Sequence, residues 1–328
     1  TLSSSKILEK IKFKKTIHQF YPIDHAIFSR KFLNHWKPNI AIFLESEIWP
    51  SMFKSIKNRN ILLILLNARI TKKSFDRWSK MKKFSNSIFG LIDKAYSQNS
   101  ETSHYLRKLN VKNIKSTGNI KFIEYDNVKS DKSDKKLFSQ FKKYKIFIAA
   151  STHETEELFA AKTHIILKKK NKNIITIIIP RHINRVKQII YEIKELGLNV
   201  VSRSSKKSKL KDIDIFIVDT FGESKKFYRF ATTVFLGKSI VKGGGQNPLE
   251  PARFGAKILH GPDVNNFKDV YKYLSSLKIS SVVNSPQTCA NSIVFKKNMK
   301  KVQKMKYLGS TILKKTLNEL DKSIHNET

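Results

Sequence analysis

The 328-residue sequence has very little cysteine and no long apolar run. Cys289 is its single cysteine, so no disulfide can form within the chain and a cysteine-based metal site is excluded. The strongest apolar run, residues 61–66, has the length of a strand and is far shorter than the roughly 20 residues that cross a bilayer. We therefore expect no membrane-spanning helix and no signal peptide in this sequence, which opens with Thr1.

Acidic residues are also scarce. The chain has 26 Asp and Glu against 64 Lys and Arg, which gives a formal net charge of +38. One explanation is an anionic partner such as nucleic acid, phospholipid or a phosphorylated glycolipid. The other is compositional drift toward lysine on solvated faces, since the lysines are spread over nearly every segment. Either way, the excess charge favours an anionic surface.

Short apolar runs alternate with longer amphipathic stretches, which is typical of parallel sheets with crossover helices. The alternation occurs twice, so we predict an α/β fold with two Rossmann-like domains and a cleft between them. The predicted domains are residues 1–123 and 144–328, the second with a C-terminal helix, and residues 124–143 are predicted as a polar linker. Ligands of such sheets bind beyond the carboxyl ends of the strands, so the loops there are the candidate site.

The most informative of these loops is residues 242–251, which contain three glycines in a row. Such a run costs backbone entropy, but it lets backbone amides approach an anionic group. Asn247 is predicted to cap a helix whose first residue is Pro248. Glu250 then lies in the first turn, where its carboxylate can accept from both hydroxyls of a ribose. The alternative is a flexible hinge with no ligand.

Three further loops carry weaker signals. Ser151 and Glu154 have the spacing of a capping box, at a helix start that also suits a phosphate. Arg181 follows a very apolar strand and either binds a phosphate through two hydrogen bonds or is a surface residue. Gly222 allows a tight turn with close approach to a ligand, although strand-to-helix loops often carry glycine.

In the first half of the chain, Glu45 and Glu47 stand beside Trp49 at the end of a predicted strand. Two carboxylates there can serve acid–base chemistry or bind sugar hydroxyls, and they can equally complement the dipole of a helix start. Arg69 ends the next strand and either binds an acidic substrate group or pairs with one of these glutamates.

Taken in order, these segments resemble the 3-deoxy-D-manno-octulosonic acid (Kdo) transferases of lipopolysaccharide synthesis. The run from Gly243 to Pro251 is the most specific of them. The resemblance implies two facing Rossmann-like domains, the GT-B architecture. It also implies an inverting transfer of Kdo from CMP-Kdo to a lipid A precursor, lipid IVA, at the cytoplasmic face of the inner membrane. It implies no metal and no cofactor besides the donor substrate. The matching segments are residues 45–50, 67–69, 151–154, 180–182, 219–223 and 242–251.

By this resemblance the second domain binds the CMP part of the donor. Glu250 is expected to hold the ribose, and Arg181 and Lys242 to stabilise the negative charge that leaves with CMP. Glu47 is expected on the first-domain side, near the transferred Kdo or the acceptor. The residues that match the family's donor contacts are Ser151, Arg181, His182, Gly222, Lys242, Asn247 and Glu250.

The sequence departs from the family pattern at its start. The family begins with a membrane-associating segment and a strand–loop with a Gly-Glu pair, whose glutamate is thought to be the general base. No run of this sequence matches either feature. We therefore expect the chain to enter the pattern partway through the first domain and to lack that base, which leaves Glu47 as its catalytic candidate.

Lysines that follow the acceptor-side loop are candidates for contact with an anionic membrane, or form a solvated helix face. They are Lys72, Lys73, Lys80, Lys82 and Lys83.

Three other functions stay open at this stage. One is a GT-B transferase with another nucleotide sugar and another lipid acceptor, and another is a relative that binds CMP without transfer. The third is a basic nucleic-acid-binding protein, which predicts basic and aromatic residues interleaved on one face or a known module. The sequence has neither, so we expect no nucleic acid among the partners.

Overall fold

The computed structural model describes Ser5, Leu8 and residues 14–123, 135–205 and 210–325. The chain divides into two compact units: the first is Thr1–Ile120 with Thr311–Thr328, and the second is Lys121–Ser310. The end of the last helix thus groups with the first unit, whereas the sequence assigned that helix to the second. Residues 124–134 of the predicted linker lie outside the described residues. The linker prediction also included 135–141, which form a helix.

In its described residues, the first unit has a parallel sheet with the order β1-β2-β3-β4. The strands are β1 (Ile40–Leu44), β2 (Leu62–Ala68), β3 (Lys94–Ser97) and β4 (Ile114–Ser116). The helices between them are α1 (Ala26–Trp36), α2 (Pro50–Lys57), α3 (Lys72–Ser79), α4 (Lys82–Phe89) and α5 (Ser100–Lys108). A turn in which the Met81 N–H donates to the Trp78 carbonyl separates α3 from α4.

The core of the first unit forms on both faces of β2, whose run of Leu and Ile suits a strand covered on each side. On one face, Leu63 and Leu65 pack with residues of α2 and α4, including the fully buried Phe53 and Phe89. On the other face, Ile64 packs in a small cluster with residues of β3 and the end of the last helix. Both faces of the central strand are therefore closed within the unit.

The described part of the second unit has a seven-stranded parallel sheet with the order β11-β10-β9-β5-β6-β8-β7. The strands are β5 (Lys145–Thr152), β6 (Ile174–Pro180), β7 (Val200–Ser202), β8 (Ile215–Ile217), β9 (Thr233–Leu236), β10 (Lys257–His260) and β11 (Ser280–Val282). The helices are α6 (Lys135–Phe141), α7 (Glu156–Lys170), α8 (Val186–Lys194), α9 (Ser224–Tyr228), α10 (Leu249–Arg253), α11 (Lys268–Ser276), α12 (Pro286–Ser292) and α13 (Met299–His325). α13 continues into the first unit.

β5 lies at the centre of this sheet, with β6 on one side and β9 on the other. Ile148 of β5 is in register with Ile177 of β6 and with Val234 of β9, and all three are fully buried. β6, β7 and β8 lie on one side of β5, whereas β9, β10 and β11 lie on the other, so the strand order reverses between β5 and β9. Because the carboxyl ends flanking such a reversal form a crevice, this point is where a ligand is expected in an open parallel sheet.

The fold class predicted from the sequence is confirmed: the chain is α/β, with two Rossmann-like parallel-sheet units. Its longest helix is α13, with 27 residues. In the part of the chain that the structure describes, no helix combines the length and apolarity needed to cross a membrane.

Candidate functional site

The predicted donor residues of the second unit lie at or just after the carboxyl ends of four neighbouring strands, in the order β9, β5, β6 and β8. All four strands are parallel, so their carboxyl ends form one edge of the sheet. The structure brings all of these residues to that edge: Ser151, Arg181, His182, Gly222, Lys242, Asn247 and Glu250.

Glu156, in the first turn of α7, connects the two loops at the reversal of strand order. Its side chain is fully buried. One carboxylate oxygen accepts from the backbone N–H groups of His153, at 3.0 Å, and Lys238, at 2.7 Å. The other accepts from Ser239 and Ile240, both at 3.0 Å. Four backbone donors of two loops thus converge on one carboxylate, which is the arrangement of an anion-binding nest filled by a side chain.

The capping box predicted from Ser151 and Glu154 is wrong. β5 continues through Thr152, and the chain enters α7 through Thr155 in the left-handed conformation. Glu154 is exposed. The helix begins four residues later than the capping box requires, and Glu156 is the glutamate that accepts the free backbone donors. Ser151 stays at the edge with a φ of 54°.

The next buried glutamate, Glu157, holds the loop after β6. It forms an ion pair with Arg185 at 3.3 Å, and burial raises the pKa of its carboxyl. The N–H of Arg181 donates to the carbonyl of Thr152 at 2.9 Å, while its side chain is exposed. Sequence analysis missed Glu156 and Glu157, although two adjacent glutamates in a lysine-rich chain are a signal.

Two histidines face each other at the ends of β5 and β6. The ring of His153 meets the ring of His182 edge-on, with the centroids 5.4 Å apart. The Nδ1 of His153 lies 3.1 Å from the carbonyl oxygen of Ser151, and burial lowers the pKa of this imidazole. His182 is exposed. The pair leaves an imidazole edge available beside Arg181 for an anionic ligand.

In the glycine-rich loop after β9, two backbone amides already have a partner. The N–H groups of Gly243 and Gly244 both donate to one carboxylate oxygen of Asp263, at 2.9 and 3.0 Å. These bonds, chiefly the one from Gly243, lower the pKa of the Asp263 carboxyl. The sequence predicted that the glycine amides approach a ligand, but this pair binds a carboxylate from the loop after β10.

Gly244 and Gly245 are required by the backbone. Both have positive φ, 81° and 73°, in the region that side chains rarely adopt. A Cβ on Gly244 would lie 2.6 Å from the side chain of Asn266, whose own N–H donates to the Gly244 carbonyl at 2.9 Å. The loop is therefore fixed against residues 263–266, and the hinge alternative is not what its contacts support.

Glu250 lies in the first turn of α10, as the sequence predicted. Its side chain is 39% exposed and forms an ion pair with Lys225 at 3.3 Å. Burial raises the pKa of Tyr228, and the negative charge of Glu250 raises it further. Asn247 is exposed, and its Oδ1 accepts from the N–H of Leu249 at 3.1 Å, which satisfies a free backbone donor at the helix start. The helix begins at Leu249, one residue later than predicted. Lys242 is exposed on the same loop.

The loop after β8 is fixed by charge. Burial alone would raise the pKa of Glu223, but hydrogen bonds from Arg203, Thr220 and Lys226 outweigh it and hold the pKa at about 2. Gly222 turns this loop with a φ of 77° and is exposed. The exposed glycine thus stands next to a glutamate that two cations and a hydroxyl hold in place.

In the first unit, Glu47 is exposed after β1 and its carboxylate accepts from the indole N–H of Trp49 at 2.8 Å. α2 begins only at Pro50, so Glu47 lies before the helix and not in its first turn. The loops after β1 and β2 are joined because Ser46 Oγ donates to the Arg69 carbonyl at 2.6 Å and the Arg69 N–H donates to the Glu45 carbonyl at 3.1 Å.

The chain has two Rossmann-like units, and the candidate loops of the second unit lie where its strand order reverses. This combination is typical of the GT-B fold. A UDP-GlcNAc 2-epimerase from Neisseria meningitidis, solved with UDP-GlcNAc bound, shares this fold. The match has a TM-score of 0.58 and 12% identity, and it covers 96% of this chain and 88% of that one. At this identity the likeness concerns the fold alone.

The sequence profile described as "3-Deoxy-D-manno-octulosonic-acid transferase (kdotransferase)" matches residues 1–124. The 3-deoxy-D-manno-octulosonic acid transferase of Rickettsia felis is 38% identical over 83% of this chain, and the match spans 58% of that relative's length. The enzyme of the same name from Rickettsia typhi is 34% identical, with 96% of this chain and 68% of the relative covered. The chain belongs to the Kdo transferase family, which confirms the resemblance found in the sequence.

Proposed function

We propose that this protein is a glycosyltransferase that moves Kdo from CMP-Kdo to a lipid A precursor, lipid IVA, in lipopolysaccharide synthesis. We infer an inverting reaction that needs no metal and no further cofactor. One observation carries the proposal. The family-like run with Glu250 lies at the same sheet edge as Arg181, His182 and Lys242, on loops around the strand-order reversal.

In this proposal the second unit binds CMP. Glu250 accepts hydrogen bonds from the two ribose hydroxyls, and its ion pair with Lys225 holds the carboxylate in place. Arg181 and Lys242 are exposed at the same edge and bind the phosphate. Ser151, His182, Gly222 and Asn247 complete the walls of the donor site. Asn247 is exposed on the glycine-rich loop, and its Oδ1 accepts from the N–H of Leu249.

The transfer forms a bond between an acceptor hydroxyl oxygen and the anomeric carbon of Kdo, and it breaks the bond from that carbon to the phosphate oxygen. CMP leaves with the electron pair, so negative charge grows on a phosphate that Arg181 and Lys242 stabilise. The acceptor hydroxyl gives its proton to a carboxylate base. We assign that base to Glu47 of the first unit, because its exposed carboxylate is oriented by Trp49.

We place the protein at the cytoplasmic face of the inner membrane, where its lipid acceptor would be. The lysines that the sequence singled out around α3 and α4 are all exposed. Met81 and Phe84 are 55% and 42% exposed on the same segment. Basic and apolar side chains side by side suit the surface of an anionic bilayer, where each well-placed lysine contributes roughly 1 kcal/mol.

The experiment is a calorimetric titration of the protein with CMP and, separately, with UMP. We expect saturable binding that prefers CMP. Glu250→Ala removes two hydrogen bonds from ribose hydroxyls to a charged acceptor. The loss of one such bond costs about 1.5–3 kcal/mol, so CMP affinity should fall by at least roughly 10- to 100-fold.

The matched control is Glu195→Ala, which removes an exposed carboxylate at the end of α8. It should leave CMP affinity unchanged. Binding of CMP and UMP with equal affinity would contradict a donor site that prefers CMP. An equal loss of CMP affinity in both variants would contradict the assignment of Glu250 to the donor ribose.

A further inference from the structure

A second cavity in the second unit lies at the opposite edge of the sheet from the candidate site. It has a volume of about 660 Å³ and is lined by the start of β10, the residues just before β11 and the start of α13. These are amino-terminal ends of strands, whereas the donor loops follow carboxyl ends. Six lysines line this cavity, which we call the lysine cavity: Lys257, Lys278, Lys296, Lys297, Lys300 and Lys301.

In the part of the chain that the structure describes, no carboxylate lines the lysine cavity. Three of its ammonium groups donate instead to backbone carbonyls: Lys257 to Ser292 at 2.9 Å, Lys301 to Lys278 at 2.8 Å, and Lys297 to Arg229 at 2.6 Å. Among the residues that the structure describes, none of the six lysines forms an ion pair with Asp or Glu. The carbonyls hold the ammonium groups around the cavity but neutralise none of them.

This arrangement is electrostatically unfavourable when empty. Burial and the neighbouring charge of Lys301 lower the pKa of Lys257, and burial lowers the pKa of Lys297. Lys300 and Lys301 also lie in the first turn of α13, where the helix dipole disfavours cations and where no acidic residue is present. Like charges gathered without a counter-charge repel, and a bound anion would relieve that repulsion.

The walls between the lysines are apolar. Ile279 and Val302 are buried beside the cavity, and Met299 is 56% exposed at its entrance. An occupant with a multiply charged head and an apolar portion would therefore match both parts of the lining.

We infer that the lysine cavity is a binding site for a phosphate-bearing anion, separate from the proposed donor site. The phosphate is carried either by a free anion or by the headgroup of an anionic lipid. Several ammonium donors converging from three segments of chain suit the oxygens of a phosphoryl group. This inference does not depend on the proposed transferase function.

The test removes charge from the cavity without removing its walls. Lys296 and Lys300 are exposed, so the double variant K296Q/K300Q should fold like the wild type, which circular dichroism and the thermal midpoint verify. A second variant, K297Q/K301Q, removes the two inner ammonium groups. The control K169Q/K170Q removes the same charge from exposed positions at the end of α7.

Each protein is titrated with inorganic pyrophosphate by calorimetry and is sedimented with phosphatidylglycerol or phosphatidylcholine vesicles. We expect at least one probe, pyrophosphate or phosphatidylglycerol, to bind the wild type and the control at least 10-fold more tightly than either cavity variant. Pyrophosphate binding identifies a free anion as sufficient. Binding confined to phosphatidylglycerol identifies a lipid headgroup. Equal losses in the cavity variants and the control, or no binding of either probe, would overturn the inference.

Discussion

Replacing Glu156 by glutamine perturbs the connection between the loops after β5 and β9. The carboxylate is fully buried and accepts from the backbone N–H groups of His153, Lys238, Ser239 and Ile240. Glutamine keeps the shape of the side chain but has one acceptor oxygen. Its amide nitrogen must face two N–H donors, so two of the four donors lose their acceptor.

The magnitude follows from those two donors. A buried donor left without a partner costs about 1–3 kcal/mol, so the two donors together should lower the free energy of unfolding of the second unit by about 2–6 kcal/mol in Glu156→Gln. For a unit of this size, each kcal/mol shifts the thermal midpoint by about 2–4 °C, so the midpoint should fall by roughly 4–24 °C.

The assay is urea unfolding of the wild type and the variant, together with hydrogen exchange of the amides of residues 238–240. At least one of those amides should exchange faster in the variant, because one of the two acceptor oxygens is lost. Glu154→Gln is the control, since Glu154 is exposed and its replacement should change stability by less than about 0.5 kcal/mol. If Glu156→Gln behaves like this control and the three amides stay protected, the carboxylate does not hold the loops together.

Two further predictions concern the loops beside it. Gly244→Ala places a Cβ 2.6 Å from Asn266 at a φ of 81°, whereas Gly197→Ala has a similar φ of 75° with open space around it. Gly244→Ala should therefore lower the urea midpoint more than Gly197→Ala does, and it should also weaken CMP binding. Equal midpoints for the two variants would show that the loop can move aside. The second prediction concerns Glu223, whose pKa is about 2 in the folded protein against an ordinary 4.5. Its stabilising effect should be complete above pH 4.5 and be lost as pH falls toward about 2. The free energy of unfolding in urea should therefore fall more steeply with pH in the wild type than in Glu223→Gln. Parallel pH profiles of the two proteins would count against the ion pairs.

Much of the fold could be predicted from the sequence because its signals are local. The run of isoleucines in β6 is buried along its whole length, as its apolar pattern predicted. Parallel strands joined by helices then put the loops with Arg181 and Glu250 at one edge. The donor loops were found because the rule for parallel sheets depends only on strand order and direction.

Contacts between distant residues could not be predicted in this way. Glu156 binds backbone groups 82 to 84 residues further along the chain, and Asp263 binds the Gly243 amide 20 residues before it. Ser151 and Glu154 have the local spacing of a capping box, so the sequence pattern favoured Glu154 over Glu156. The left-handed conformation of Thr155 and the backbone donors of the loop after β9 put Glu156 in this position instead. A local sequence pattern contains neither of them.

The most direct test of the central claim is a transfer assay. The protein is incubated with CMP-Kdo and lipid IVA, and the lipid is analysed by mass spectrometry while released CMP is measured in parallel. The proposed function predicts a lipid whose mass is increased by Kdo, formed together with CMP, and a rate that falls strongly in both Glu250→Ala and Glu47→Gln. Tight binding of CMP-Kdo with no Kdo-bearing lipid, or transfer that both variants retain, would contradict the account.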